Sequence, residues 1–248
     1  MSALRAELLK TVTTRLLLWY GLGLLAFLVL VLSIHIGSDD VGDLSQVSTQ
    51  HSIFAVAGLA AVLAVLLGSV IVTAEYTHGT INQTFLAVPR RDRVLGAKVA
   101  AALVVAVGLA LLADAATLAV AELWYRGRGL TLQLDGETMG PLLGTIGASA
   151  LGAAIGVGVG ALLRRQTGAI VLILLWLLIG EAVIGAVGDT ARFAPGHTLG
   201  AVVAAHTDGT RDTLAVWPAV FTGIFYAAVF GLAGLLATIG SDVPSSGD

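Results

Sequence analysis

Two carboxylates, Asp114 and Glu181, lie inside long apolar stretches of the sequence. An acid near the centre of a bilayer costs about 2.5–3.5 kcal/mol on insertion scales, so such a residue usually faces a partner or a water-filled path. Each acid lies six or seven residues from one end of its stretch, which is roughly 10 Å at 1.5 Å per residue. The two acids are candidates for a vestibule that meets polar or cationic substrate. The alternative is that they are structural acids, protonated or paired with Ser or Thr.

A polar segment between two apolar stretches, Glu75–Arg93, contains residues that typically begin and end a short helix. Gly79 permits a sharp turn, and Thr80 with Gln83 fits a capping box at the start of a helix. Pro89 would end that helix within about two turns. The sequence therefore predicts a helix that crosses the membrane surface rather than one that enters the membrane.

One face of this short helix is predicted to be apolar, because Ile81, Phe85 and Val88 recur at helical spacing. That face is expected to pack against another protein, while Arg90 and Arg91 hold the far end at the lipid headgroups. The alternative is a solvated basic loop that only fixes the topology of the chain.

The elements that position these residues are six apolar stretches of about 19 to 25 residues. A helix of about 20 residues spans roughly 30 Å, the thickness of the hydrocarbon core, and continuously apolar runs favour helices over barrel strands. The predicted fold is an all-α integral membrane protein whose spans are Leu16–Ile36, Ile53–Thr73, Val99–Ala121, Met139–Leu163, Ala169–Val187 and Ala215–Ile239.

The flanking segments complete the predicted organisation. Residues 1–15 are predicted to form an amphipathic helix at the cytoplasmic interface, 16–240 a single six-helix domain and 241–248 a disordered cytoplasmic tail. An apolar patch at Leu199–Ala205 is too short to span, so the sequence by itself predicts only an outer loop with an amphiphilic middle. This segment is either a structural lid or a gate for substrate.

The distribution of basic residues predicts the orientation. Nine of the thirteen Lys and Arg residues fall on the side that carries the N-terminus, and such an excess marks the cytoplasmic side. Both termini are therefore predicted to be cytoplasmic. The glycine- and alanine-rich composition is typical of high-GC bacteria, so the expected location is a bacterial cytoplasmic membrane.

Several enzymatic chemistries are excluded by the residue types present. A P-loop needs Gly-Lys-Ser/Thr, but the only lysines, Lys10 and Lys98, follow Leu9 and Ala97. Cysteine is absent, so thiolate chemistry is excluded. An intramembrane serine protease needs Gly-x-Ser-Gly, which no span provides. No metal site is predicted, because a di-iron bundle needs a second Glu-x-x-His pair beside Glu75 and His78.

Three glycines repeat every four residues along the fourth predicted span: Gly152, Gly156 and Gly160. Small residues at this spacing give a helix one smooth face for close contact. We interpret them as a helix-packing face, either within one subunit or between two copies.

The order of elements around Glu75–Arg93 resembles the permease subunits of type 2 ABC transporters. The similar residues are Val72–Ile81, Thr84–Arg91 and Val94–Lys98, and the six-span plan with a basic N-terminal helix is similar too. In that family this loop holds the coupling helix, which docks on a separate ATP-binding subunit. The matching positions imply that coupling involves Glu75, Gly79, Thr80, Pro89, Arg90 and Arg91.

The resemblance implies an ATP-driven exporter, and it implies that Leu199–Ala205 is a re-entrant or interfacial segment on the outer side. The chain would form the substrate pathway with a second permease copy, either identical or paralogous, and two ATP-binding subunits would bind ATP and Mg²⁺ in its place. No cofactor of its own and no nucleic-acid partner are implied. Two other functions stay open: a proton-coupled secondary transporter that uses Asp114 and Glu181, and a scaffold that transports nothing.

Overall fold

The structure is a computed structural model that describes residues 3–13, 15–88, 90–136, 138–186, 188–210 and 213–240. Within these ranges the chain is helical and has no strands. Two sequence predictions, the helix-ending role of Pro89 and the disordered tail 241–248, lie outside the described residues.

The α-helices of the described residues fall into long and short elements. Their bounds are α1 Ala3–Thr13, α2 Arg15–Ser38, α3 Val41–Leu44, α4 Val47–Ala55, α5 Leu59–Thr77, α6 Ile81–Ala87, α7 Arg91–Gly127, α8 Gly140–Leu163, α9 Gln166–Leu175, α10 Glu181–Gly185, α11 Pro195–Ala204 and α12 Val216–Gly240. A 3-10 turn at Val56–Gly58 joins α4 to α5, and a π-helical turn at Trp176–Gly180 joins α9 to α10.

Six helical stretches of the described residues are long and apolar enough to cross a membrane. They confirm the six predicted spans and indicate a multi-pass membrane protein. Their bounds are Leu17–Ser38, Val47–Thr77, Arg91–Gly127, Gly140–Leu163, Gln166–Gly185 and Val216–Gly240. The largest difference from the sequence prediction is α7, which begins at Arg91 instead of Val99. Hydropathy marks only the apolar centre of a span, whereas backbone hydrogen bonds continue through its polar flanks.

Helix α8 is the centre of the bundle, and its glycines allow neighbouring helices to approach closely. A Cβ atom at Gly152 would lie 2.9 Å from the carbonyl oxygen of Ala61, and one at Gly160 would lie 2.7 Å from that of Ser69, both on α5. Gly156 faces α5 between them. The predicted glycine face therefore packs within the chain. Gly158 makes a similar approach to α12.

The two ends of the bundle differ in composition. We call the end that carries α1, the 78–90 connection and the turn at Arg164–Arg165 the basic end, and the other the opposite end. At the opposite end the buried Tyr125 hydroxyl donates to the carbonyl oxygen of Leu44 at 2.8 Å, and the Arg128 guanidinium donates to that of Asp39 at 2.6 Å. These bonds hold the connection between α2 and α4 against the end of α7.

Candidate functional site

The connection between α5 and α7 begins with a tight turn at the basic end. Gly79 has a φ of +68°, a left-handed conformation that favours glycine. The backbone N–H of Thr80 then donates to the carbonyl oxygen of Glu75 at 2.9 Å. The chain enters α6 directly afterwards, as the sequence predicts.

The predicted capping box at Thr80 is wrong. Thr80 already has helical dihedral angles, φ −85° and ψ −8°, and its side chain makes no capping hydrogen bond. The Thr84 hydroxyl, one turn into α6, instead donates to Oε2 of Glu75 at 3.2 Å. This bond ties α6 to the end of α5.

Glu75 belongs to a buried cluster of two acids and two lysines, which we call the Glu–Lys cluster: Glu7, Lys10, Glu75 and Lys98. Nζ of Lys98 lies 2.9 Å from Oε2 of Glu7 and 2.9 Å from Oε1 of Glu75. Nζ of Lys10 lies 2.9 Å from Oε1 of Glu7 and 2.7 Å from Oε1 of Glu75. Three helices, α1, α5 and α7, therefore meet at one charge-balanced group.

Burial makes the pairing in this cluster obligatory. The Lys98 side chain is 2% exposed, and those of Glu7 and Glu75 are 7% and 10% exposed. Removing one partner from such a group leaves an uncompensated charge away from water, at a cost of about 3–5 kcal/mol. The cluster therefore stabilises one arrangement of the three helices against alternatives that would separate the charges.

Lys10 is the more solvent-exposed lysine of the cluster. Burial acts to lower its pKa, but hydrogen bonds and charge interactions with Glu75 and Glu7 outweigh this, so the pKa lies above its ordinary value. Lys10 thus stays protonated at physiological pH and keeps the cluster balanced.

The sequence analysis singled out Glu75 of this cluster, but it gave no site role to Glu7, Lys10 or Lys98. It predicted α1 only as an amphipathic helix at the cytoplasmic interface. In the structure the buried residues of α1 include Glu7 and Thr11, which are 6% and 7% exposed. The Glu7 carboxylate can be buried here because Lys98 and Lys10 neutralise its charge.

The exposed side of α6 differs from the predicted docking face. Ile81 is only 9% exposed, and with Phe85 it borders a small space formed with the chain's own Tyr76, Leu95 and Thr238. A partner protein therefore has no access to Ile81. Leu86 is 84% exposed and adjoins no part of that space. It is the apolar residue that α6 presents outward, and the sequence pattern missed it.

The end of α12 is held at the basic end by two arginines. Nη1 of Arg91 donates to the carbonyl oxygen of Thr238 at 2.7 Å, and the Arg164 guanidinium donates to that of Ala237. These bonds satisfy carbonyl groups that have no partner within a helix. Arg91 also lies over the Phe85 ring, 5.2 Å from its centroid. Arg91 thus contacts α12 and Phe85 of its own chain, whereas Arg90 pairs with exposed Asp92.

The Glu181 carboxylate binds several groups at the opposite end. Its Oε1 accepts hydrogen bonds from Nε1 of Trp176 and from the backbone N–H of Gly196, each at 2.8 Å. Its Oε2 accepts from the backbone N–H of His197 at 3.1 Å and pairs with Nδ1 of the same residue. The carboxylate therefore binds the N-terminus of α11, where free N–H groups and the helix dipole favour a negative charge.

Asp114 has no such partners. It is 7% exposed, and among the described residues its Oδ1 has no hydrogen-bond partner; Thr117, one turn away, also has an unpaired hydroxyl. Asp114 lies on α7, whereas Glu181 bonds to α11 and to Trp176. The structure thus gives the two acids different surroundings, and they share no hydrogen bond.

No protein-family model matches the sequence, and no curated protein matches it. The case for a function therefore depends on the geometry of the basic end.

Proposed function

We propose that this chain is the permease subunit of an ATP-driven exporter of the type 2 ABC class, in a bacterial cytoplasmic membrane. The basic end, with both termini, faces the cytoplasm, and the chain works with a second permease copy. A separate ATP-binding subunit docks on α6. The observation that supports this most strongly is the exposed Leu86 on a short helix that the Glu–Lys cluster joins to two spans.

The Glu–Lys cluster connects α6 to the spans, so that a displacement of α6 can reach the membrane helices. Thr84 ties α6 to Glu75, and Glu75 is bonded to Lys98 on α7 and to Lys10 on α1. Because these charges are buried, separating them costs several kcal/mol. A displacement of α6 would therefore move the ends of α5 and α7 together rather than bend the connection.

The apolar surfaces of the outer spans support a second permease copy. Buried residues make up only 22%, 17% and 17% of an 18-residue apolar window in the first, fifth and sixth spans, against 61% in the second and fourth. These three spans have few buried residues, which leaves them surface for lipid or for another chain.

Docking on α6 is tested by truncating Leu86. The permease is reconstituted with the ATP-binding protein that copurifies with it, and its stimulation of ATP hydrolysis is measured. We expect Leu86→Ala to weaken the complex about tenfold or more, as buried interface anchors do. The thermal stability of the permease alone should stay within about 0.5 kcal/mol, because the side chain is exposed.

The matched control is Leu134→Ala, which truncates another exposed leucine (62% exposed) at the opposite end. It should leave complex formation unchanged. Equal stimulation by the parent protein and by Leu86→Ala would contradict docking at this residue.

One observation favours a second candidate, the proton-coupled secondary transporter. The buried Asp114 carboxylate without a described partner suits a group that gains and loses a proton. In that case transport in vesicles would need a proton gradient and no ATP, and Asp114→Asn would abolish it. The exporter proposal expects transport that depends on ATP and persists when the gradient is dissipated.

A further inference from the structure

An apolar cavity of about 360 Å³ lies beneath α11, between the fifth span, α8 and α12. Its walls are aliphatic and aromatic side chains, including Leu177, Ile184, Phe193, Leu199 and Phe230. The volume is at the lower end of the range for small-molecule sites, about 300–1,000 Å³. It therefore suits one apolar chain better than two.

The cavity extends along the fifth span. Its lining residues there run from Leu172 to Ile184, twelve residues apart, or roughly 18 Å of helix. Leu172 and Trp176, which line the cavity, are 49% and 38% exposed. An apolar molecule from the surrounding bilayer can therefore reach the cavity along this span.

The roof of the cavity is fixed on both sides. Glu181 on the fifth span binds the N-terminus of α11 through Gly196 and His197. The Tyr226 hydroxyl, on α12, donates to the carbonyl oxygen of Phe193 at 2.7 Å. The roof thus bridges the two spans that flank the cavity.

The basic residue at this roof is Arg192, which adjoins a wall of the cavity without lining it. Arg192 precedes Phe193, and its guanidinium carbon lies 5.1 Å from the centroid of that cavity-lining ring. Its Nε atom is buried and has no hydrogen-bond partner among the described residues. Both oxygens of Glu181 already accept hydrogen bonds, so that carboxylate offers little to a cationic ligand. An arginine with an unused donor favours a carboxylate or phosphate.

We propose that this cavity binds a single-chain anionic amphiphile from the bilayer. The apolar chain lies between the fifth span and α12, and the acidic headgroup binds Arg192 at the roof. The site requires neither ATP nor a partner subunit. It is thus independent of the exporter proposal, and either one can fail without the other.

Binding to the purified chain in neutral detergent tests the proposal, with palmitate as the probe and its uncharged alcohol and cationic amine for comparison. We expect palmitate to bind at least tenfold more tightly than either analogue, because a charge-assisted hydrogen bond forms only with the acid. Arg192→Gln should remove that preference and leave binding of the alcohol unchanged. The matched control is Arg126→Gln, an exposed arginine at the same end that pairs with Glu122; it should bind like the parent.

The position of the chain is tested separately. Leu177→Trp fills the cavity and should weaken palmitate binding about tenfold or more. A diazirine-labelled palmitate on the parent protein should mark residues 172–184 or 226–230, so the location can be checked even when the filled variant does not fold. Labelling elsewhere, equal binding of acid and alcohol, or a preference for the amine would each overturn the proposal.

Discussion

The two ends of this bundle use buried carboxylates in opposite ways. At the basic end Glu7 and Glu75 are neutralised by lysines, and the group joins α1 to two spans. At the opposite end Glu181 is bound mainly by backbone N–H groups of α11 and by the Trp176 and His197 side chains. The first arrangement connects spans to one another, whereas the second fastens a short helix over an apolar cavity.

This difference between the two ends indicates which of them moves as a unit. Breaking the Glu–Lys cluster exposes several charges at once, so α1, α5 and α7 should be displaced together. Releasing α11 breaks hydrogen bonds to one carboxylate and leaves the spans in place. A rigid junction suits the transfer of movement from a partner, and a separately fastened roof suits the admission of a ligand.

Lys98→Met should have the largest effect, because it leaves two buried carboxylates facing only Lys10. We expect a loss of about 3–5 kcal/mol in stability, measured as a lower unfolding temperature in detergent. The double variant Glu7→Gln/Lys98→Met restores the charge balance and should recover most of the loss. Asp92→Asn, in an exposed pair, should unfold like the parent. If Lys98→Met were as stable as Asp92→Asn, the cluster would not hold the helices together.

Glu181→Gln should have a smaller and more local effect. Removing the charge weakens hydrogen bonds worth about 1.5–3 kcal/mol, so α11 should open more often while the spans stay folded. The chain has no cysteine, so Leu199→Cys, buried on α11, provides a unique label. Its labelling rate should rise roughly tenfold or more in the Glu181→Gln background. Glu122→Gln, which changes an exposed acid at the same end, should not alter the rate.

Arg91→Gln should have the smallest of the three effects. It removes hydrogen bonds to the last carbonyl groups of α12 and is expected to cost about 1 kcal/mol, because water can replace part of the interaction. Hydrogen exchange at 236–240 should accelerate, with no change near α11. The neighbouring Arg90→Gln is the control, since Arg90 contacts Asp92 on the surface. Equal exchange in both variants would show that Arg91 does not hold α12.

The sequence predicted the spans more accurately than it predicted the sites. Six apolar runs fix six helices because each must satisfy its backbone internally in lipid, and the glycine spacing of α8 correctly marked a close-packed face. Helix ends were less accurate, as α7 shows, because polar flanks extend a helix without changing its hydropathy.

The pairings within the sites could not be predicted. Lys98 and Glu7 are 91 positions apart, and no local sequence pattern links them. The partners of Glu181 include two backbone N–H groups, which have no signature in the identity of a residue. Only Pro195, at the first position of α11, marks a helix start there.

We propose that Leu86 and the rest of the 75–93 connection face the cytoplasm, where a separate ATPase can bind α6. Single-cysteine variants Leu86→Cys and Thr131→Cys place one label at each end of the bundle, both at exposed positions. With a membrane-impermeant maleimide on intact cells, we expect rapid labelling of Thr131→Cys. We expect labelling of Leu86→Cys only after the cells are permeabilised. Labelling of Leu86→Cys in intact cells would contradict this proposal.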